Sequence, residues 1–388
     1  MTETADAIVI GAGVQGASLA FQLAEKGLRP LVLERAALAS GATGRSSGLV
    51  RMHYDLEPEA RLAWASFAYF RDWHERVGGE CGFTRTGFLQ LYPRHAEARL
   101  RANAEMQQRV GIPTLLVTAG DVVRLAPHFR ADDFDWAAYE PDSGYADPSG
   151  TTSSLLNGAR ERGARLLQGC EVTGIRVEGE RVTGVETSRG TFAAPVVVNA
   201  AGAWARAVAA MVGLEVPVTV WRHDTAYIRR PAPLRQGHPT VIDDGNAMYF
   251  RPEGRDLTLV GLEDDENIGG GPDQVLQPAP GFVERVVDRI CRRVPSMVDG
   301  ELHSTQRGQD GMTPDQRPIL GAAGPDGFYL DCGFSGTGFK TAPAVGACMA
   351  ELIVSGRAAT VDIAPFGLSR FAAGRLLAGP YEDRPTWR

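Results

Sequence analysis

Short apolar runs joined by glycine-rich turns open the chain. Residues 7–10 are continuously apolar, the pattern of a strand buried on both faces. Gly11, Gly13 and Gly16 follow at once. Leu19 and Leu23 then lie four apart, which predicts a helix capped by Gly27. Residues 31–34 predict a second strand that ends at Glu34. Residues 40–48 gather glycine and small hydroxyl side chains and predict a loop, with a helix over 62–77 behind it. Amphipathic helices are predicted over 96–110 and over 119–125, with Asp121 near the start of the second. A turn-rich crossover occupies 141–150, and a helix is predicted over 151–167.

The second half alternates more strongly. A strand at 170–179 leads to a hairpin, and 196–214 read as a buried strand and helix despite Asn199 and Arg206. Residues 216–230 and 247–264 are strand-rich, the latter broken by a turn at 252–256. Residues 281–295 predict an amphipathic helix with Phe282, Val286, Val287 and Ile290 on one side. A strand within 327–333 leads to a third glycine-rich loop and an apolar helix over 344–354. The return of strand–glycine–helix order after an inserted section predicts one discontinuous domain.

Composition narrows the class. With 44% apolar and 22% charged residues among 388, a wholly disordered chain is excluded. A formal charge of −7 argues against a general nucleic-acid binder. Glu3 and Asp6 stand where a secretory signal would be positive, and no apolar run suits a membrane span, so a cytoplasmic protein is expected. Cys81, Cys170, Cys291, Cys332 and Cys348 are scattered and odd in number, the pattern of free thiols. The seven histidines show no metal-ligand spacing, so no metal site is expected.

The glycine motif carries chemistry because of its context. Gly11 permits the tight turn, Gly13 lets backbone approach a pyrophosphate, and Gly16 allows close helix–strand packing. Glu34 can accept from both hydroxyls of an adenosine ribose, and its charge disfavours a 2′-phosphate. These residues leave FAD and NAD both open. The N-terminal motif, the small-residue loop after Glu34 and the C-terminal glycine loop together suit one long ligand such as FAD.

IVIGAGVQG, LVLER, GRSSGLVRMHY, VVVNAAGAW, MTPDQRPILG and GFSGTGFK occur in this order. With them the chain resembles the FAD-dependent amine and amino acid oxidoreductases that include sarcosine oxidase, glycine oxidase, D-amino acid oxidase and dimethylglycine dehydrogenase. It is most similar to the sarcosine oxidase branch. The resemblance implies an α/β fold: a Rossmann-like FAD-binding domain, discontinuous in sequence (1–87, 148–215 and 305–388). An α+β substrate domain on a mostly antiparallel sheet (88–147 and 216–304) is inserted. It also implies that Arg51 and Lys340 hold a substrate carboxylate, a role suited to two fixed cations. His53 and Tyr249 are candidate polar groups beside the substrate.

Cofactor contacts are implied for Gly11, Gly13, Val14, Gly16, Glu34 and Arg35, and for Thr43, Arg45, Ser46, Ser47 and Gly48. Val172 would meet the adenine side, and Gly202 and Trp204 would lie near the cofactor. Gly333, Ser335, Gly336, Thr337, Gly338, Phe339 and Lys340 would face the flavin pyrimidine edge, where backbone N–H groups of 335–339, a helix dipole or Lys340 would offset negative charge.

Departures from the family pattern are informative. Arg45 and Gly308 occupy the positions where relatives link flavin through histidine or cysteine, so FAD is expected to bind non-covalently. Asp310 replaces an arginine that anchors carboxylates in glycine oxidase and D-amino acid oxidase. Thr258 matches the lysine that promotes electron transfer to oxygen, and threonine lacks that charge. The acceptor is then oxygen used slowly, or an electron-acceptor protein or quinone, unless Arg222 or Arg251 supplies the cation. The expected reaction oxidises the C–N bond of a secondary or N-methyl amino acid by hydride transfer to flavin N5, followed by imine hydrolysis. A D-amino acid or other carboxylated amine is the alternative, as is the flavin subunit of a multi-subunit dehydrogenase; a non-enzymatic flavin or nucleotide sensor is a third class.

Overall fold

In a computed structural model of the protein, residues 3–263, 268–274 and 277–379 are described, so Asp264 at the end of the 247–264 run lies outside them. A six-stranded sheet forms the nucleotide-binding half, in the order Arg165–Gln168, Pro30–Glu34, Ala7–Ile10, Val197–Asn199, Phe328–Cys332, Ile319–Ala322. All neighbours are parallel except the last pair, which is a hairpin. Three distant stretches of chain therefore build one sheet. The helices Val14–Glu25, Pro148–Glu161 and Gly338–Ser355 pack together on one face, so the two ends of the polypeptide meet.

The substrate-side sheet has eight strands, in the order Glu301–Met312, Thr219–Arg229, Leu257–Leu262, Met248–Glu253, Thr240–Asp243, Phe88–Leu91, Trp136–Glu140, Leu115–Thr118. Its neighbours are antiparallel except for Thr240–Asp243 beside Phe88–Leu91. The helix Phe282–Arg293 covers the far face through Phe282, Val286 and Ile290. Val287, expected on that side, is 46% exposed. It lies about 100° around the helix from Val286, outside the i, i+4 stripe.

Three helical readings need correction. The predicted helix 62–77 is two helices, Glu57–Arg71 and Trp73–Arg76. The predicted helix 151–167 runs from Pro148 to Glu161, and Arg165–Gln168 is instead a sheet edge beside Pro30–Glu34. The C-terminal helix starts at Gly338, well before 344, with Pro343 inside it. A proline there would leave helix backbone groups unsatisfied. The Ser66 hydroxyl compensates: it donates to the Thr341 carbonyl and accepts from the Ala344 amide. That partner lies 275 residues away and no local pattern reveals it. No helix among the described residues is long and apolar enough to cross a membrane.

Candidate active site

The turn after the strand Ala7–Ile10 is shaped for a large anion. Gly11 has φ +110°, and a Cβ there would lie 2.5 Å from the Ala200 carbonyl oxygen. A Cβ on Gly16 would lie 2.1 Å from the Gly11 carbonyl oxygen, so Gly16 is a packing glycine rather than a ligand contact. The helix Val14–Glu25 starts at Gly13 with no side-chain cap and no acidic residue in its first turn. Its positive end is therefore left for an anion. The loop behind Glu34 braces this end, because the Thr43 hydroxyl accepts from the Val14 amide at 3.0 Å. Glu34 accepts from the Ala12 and Ala36 amides, one on each carboxylate oxygen.

A cavity of about 600 Å³ runs from this turn to the C-terminal glycine loop. Of the expected cofactor contacts, Gly11, Gly13, Val14, Glu34, Arg35, Thr43, Arg45, Ser46 and Ser47 line it. Val172, Gly202, Trp204, Gly336, Gly338 and Phe339 do so too. Tyr249 faces the same space. The cavity therefore joins both ends of the chain around a single extended volume, as a bent dinucleotide requires.

Gly48, Gly333, Ser335 and Thr337, all expected to touch cofactor, are not on this lining. A Cβ on Gly48 would meet the Ala146 carbonyl at 2.3 Å, and one on Gly333 the Thr313 side chain at 2.6 Å, so both are packing positions. The Ser335, Gly336 and Thr337 amides, expected to offset flavin charge, already donate to the Gly311 carbonyl, the Asp310 carboxylate and the Phe334 carbonyl. Their loop is thus tied to 310–313, and Gly338 and Phe339 at the helix start are left facing the cavity.

Arg51, His53 and Lys340 lie off the cavity lining, yet the fold brings Arg51 and Lys340 together. The Arg51 guanidinium sits 4.7 Å and the Lys340 ammonium 6.0 Å from the centre of the Tyr54 ring. Arg51 is 2% exposed; its Nη1 donates to the His53 carbonyl, whereas Nε and Nη2 have no partner. Lys340 Nζ donates to the Gly336 carbonyl at 3.2 Å. Burial, and next the charge of Arg51, holds the Lys340 ammonium well below its ordinary value. Two buried cations with spare donors call for an anion between them. His53 is a support residue. Its Nε2 shares a 3.0 Å hydrogen bond with the Tyr92 hydroxyl, and burial pushes its pKa down to about 3.

Thr258 does not face the cavity. It pairs opposite Pro252, and its hydroxyl shares a 2.9 Å hydrogen bond with His238 on the far side of the sheet. The residue opposite Tyr249 is Gly261. Arg222 and Arg251, the other candidate cations, are off the lining as well. Arg222 donates to the Gly269 and Gly271 carbonyls and to Gln274, and Arg251 to the Ser47 and Pro252 carbonyls and Glu253.

Several lining residues escaped the sequence reading. His223 stacks on Tyr249 with ring centres 5.4 Å apart, and its Nε2 lies 2.6 Å from the Tyr249 hydroxyl. Trp221 lies two residues earlier on the same strand. Their alternation was visible, but not which face meets the cavity. Asp273 accepts from Arg35 and from Trp204 Nε1, while Arg35 stacks on Trp204 at 4.3 Å. Asp331 lines the cavity as well. Arg45 and Gly308 are both on the lining, side by side, so neither flavin-linking position offers a nucleophile.

The family model for FAD dependent oxidoreductases matches residues 6–352. Human mitochondrial sarcosine dehydrogenase is 30% identical over 406 positions, covering all of this chain but 43% of that protein. The chain thus spans less than half of that relative. Glycine oxidase of Geobacillus kaustophilus is 28% identical, covering 95% of this chain and 98% of that one. Among solved structures, L-proline dehydrogenase from P. horikoshii superposes with a TM-score of 0.90 at 28% identity, over 97% of this chain and 100% of that one.

Proposed function

This chain belongs to the FAD-dependent oxidoreductases that oxidise the C–N bond of amines and amino acids, and from that premise we propose that its substrate is a secondary or N-methyl amino acid gripped by its carboxylate. One observation carries the carboxylate: buried Arg51 keeps two unpartnered donor nitrogens beside Lys340. The similarity to a sarcosine dehydrogenase and an L-proline dehydrogenase supports the secondary amine, since sarcosine and proline both carry one next to a carboxylate.

FAD is held without a covalent link and supplies a two-electron acceptor for the hydride on the carbon beside nitrogen. The chain does the rest. Arg51 and Lys340 orient the carboxylate and disfavour a protonated amine by like-charge repulsion. Tyr54 and Phe88 pack against Arg51 and exclude water, which strengthens each charged contact. The Tyr249 hydroxyl, hydrogen-bonded to His223, faces the reacting space and can hold the amine nitrogen. Water then hydrolyses the imine to an amine and a carbonyl compound.

We place the electron acceptor among proteins or quinones rather than oxygen, because Thr258 points away and Arg222 and Arg251 are engaged elsewhere. A second subunit would supply that route. The test is anaerobic bleaching of the purified yellow protein with sarcosine, N-methyl and cyclic amino acids, and D-amino acids. Rapid bleaching by the secondary amines and slow recovery in air are expected. Bleaching by D-amino acids alone would overturn the substrate, and fast recovery in air would overturn the acceptor.

Lys340 adds a pH signature. Its pKa is lowered by burial, so its charge is lost as pH rises through a value below the usual lysine range. KM is therefore expected to rise with pH in wild type and to lose that rise in Lys340→Met. Steady-state profiles of both proteins check this.

A further inference from the structure

Asp331 is 1% exposed, lines the cavity, and neither of its carboxylate oxygens has a hydrogen-bond partner. Burial alone pushes its pKa up to about 7. No cation among the described residues is paired with it. An acceptor in this state is costly unless something donates to it. It makes none of the substrate contacts of Arg51, Lys340 and Tyr249.

Its place in the fold says what that donor is. Asp331 lies near the C-terminal end of Phe328–Cys332, in the sheet beside Val197–Asn199. Ala200, Ala201 and Gly202, which follow that neighbour, line the cavity. The start of Val14–Glu25 and the loop through Phe334, Gly336 and Gly338 line the same cavity. These helix starts are joined by Gln15, whose Nε2 donates to the Gly338 carbonyl at 2.7 Å. Asp331 therefore lies on the cavity two strands across from the strand that leads into the anion-binding turn, and directly before the loop at the ring end. A pyrophosphate has no donor to offer and would repel a carboxylate. The hydroxyl groups of the polyol chain between pyrophosphate and ring are donors.

We propose that Asp331 is a cofactor-positioning residue that accepts a hydrogen bond from the polyol chain of FAD. It rests on FAD binding and is independent of the substrate. An unpartnered buried acceptor in the empty protein becomes a satisfied one in the loaded protein, so part of the binding free energy comes from relieving that burden.

The test uses apoprotein and three probes: FAD, ADP, and an FAD analogue with an alkyl chain in place of the polyol. Asp331→Ala is expected to weaken FAD by about ten- to a hundredfold, as the loss of a hydrogen bond to a charged group does. ADP affinity should change less than about twofold, and the analogue should bind wild type and variant alike, as expected when the two changes remove the same interaction. Asp331→Asn keeps an acceptor oxygen and should lose less FAD affinity than the alanine variant. The empty variant should melt no lower than empty wild type, while the rise produced by FAD should shrink. Unchanged FAD affinity would overturn the proposal. So would equal weakening of FAD and ADP, or a penalty that persists with the analogue. A variant that fails to fold also counts against it, because the carboxyl is proposed to have no partner within the protein.

Discussion

Arg51→Ala should lower kcat/KM for a carboxylated amine by about a hundred- to a thousandfold while leaving the flavin content of the purified protein unchanged. The guanidinium is buried against Tyr54 and Phe88, away from the cavity lining, so FAD has no stake in it. A substrate carboxylate entering this dry site loses its water and has Arg51 and Lys340 to replace it. Removing one buried charged partner costs about 3–4 kcal/mol, and each 1.4 kcal/mol is tenfold. Most of the loss should fall on KM, because the carboxylate is held before and during the reaction. An amine without a carboxylate should be little affected. Steady-state kinetics with both substrate types checks this; a variant with wild-type KM for the amino acid would remove the clamp.

Arg317→Ala should have the largest effect on stability. Arg317 is 0% exposed and holds two acids distant in sequence, Asp55 in the bend before the helix Glu57–Arg71 at 3.0 Å, and Glu59 within that helix. Glu59 lies in the first turn of Glu57–Arg71, which packs on the helix that carries Lys340. Breaking a buried ion cluster by removing one member costs about 3–5 kcal/mol, because the opposite charges remain buried without it. Burial holds Glu59 at about 7 even with the arginine's opposing pull, and higher without it. The sign follows. A carboxyl whose folded pKa exceeds its unfolded value loses stability as pH rises above the ordinary 4.5. The variant should be least stable at alkaline pH, with its deficit shrinking toward pH about 5. Denaturant midpoints of variant and wild type at several pH values measure this. An unfolding free energy within about 1 kcal/mol of wild type throughout would show that the cluster contributes little.

Much of the nucleotide half was readable from local pattern. The apolar run 7–10, the spacing of Gly11, Gly13 and Gly16, and an acid closing the next strand each impose a backbone shape on their own neighbourhood. The structure keeps all of them, with Gly16 serving packing alone. The candidate clamp was readable only through the family resemblance. Arg51 and Lys340 are 289 residues apart in sequence, and nothing near either names the other. The strand containing His223 shows a different failure. Alternation along a strand puts Trp221 and His223 on one face and Arg222 on the other, but does not say which face meets the cavity. Arg222 carries the charge an oxygen-activating cation needs, yet it secures the 269–274 segment. Thr258 failed the same way, through a register in which Gly261 is opposite Tyr249.

Local chemistry along the chain sufficed for most of the elements and for the pyrophosphate turn, since each depends on residues within a turn or two of one another, but not for the ends of the helices at 62–77, 151–167 and 344–354. The facing of each strand, the use of the 335–337 amides by their own loop, and the burial of Asp331 without a partner came only with the folded arrangement. These depend on which surfaces two sheets and three helices present to one another. That choice minimises exposed apolar area and unpaired polar groups over the whole molecule, and no short stretch of residues contains it.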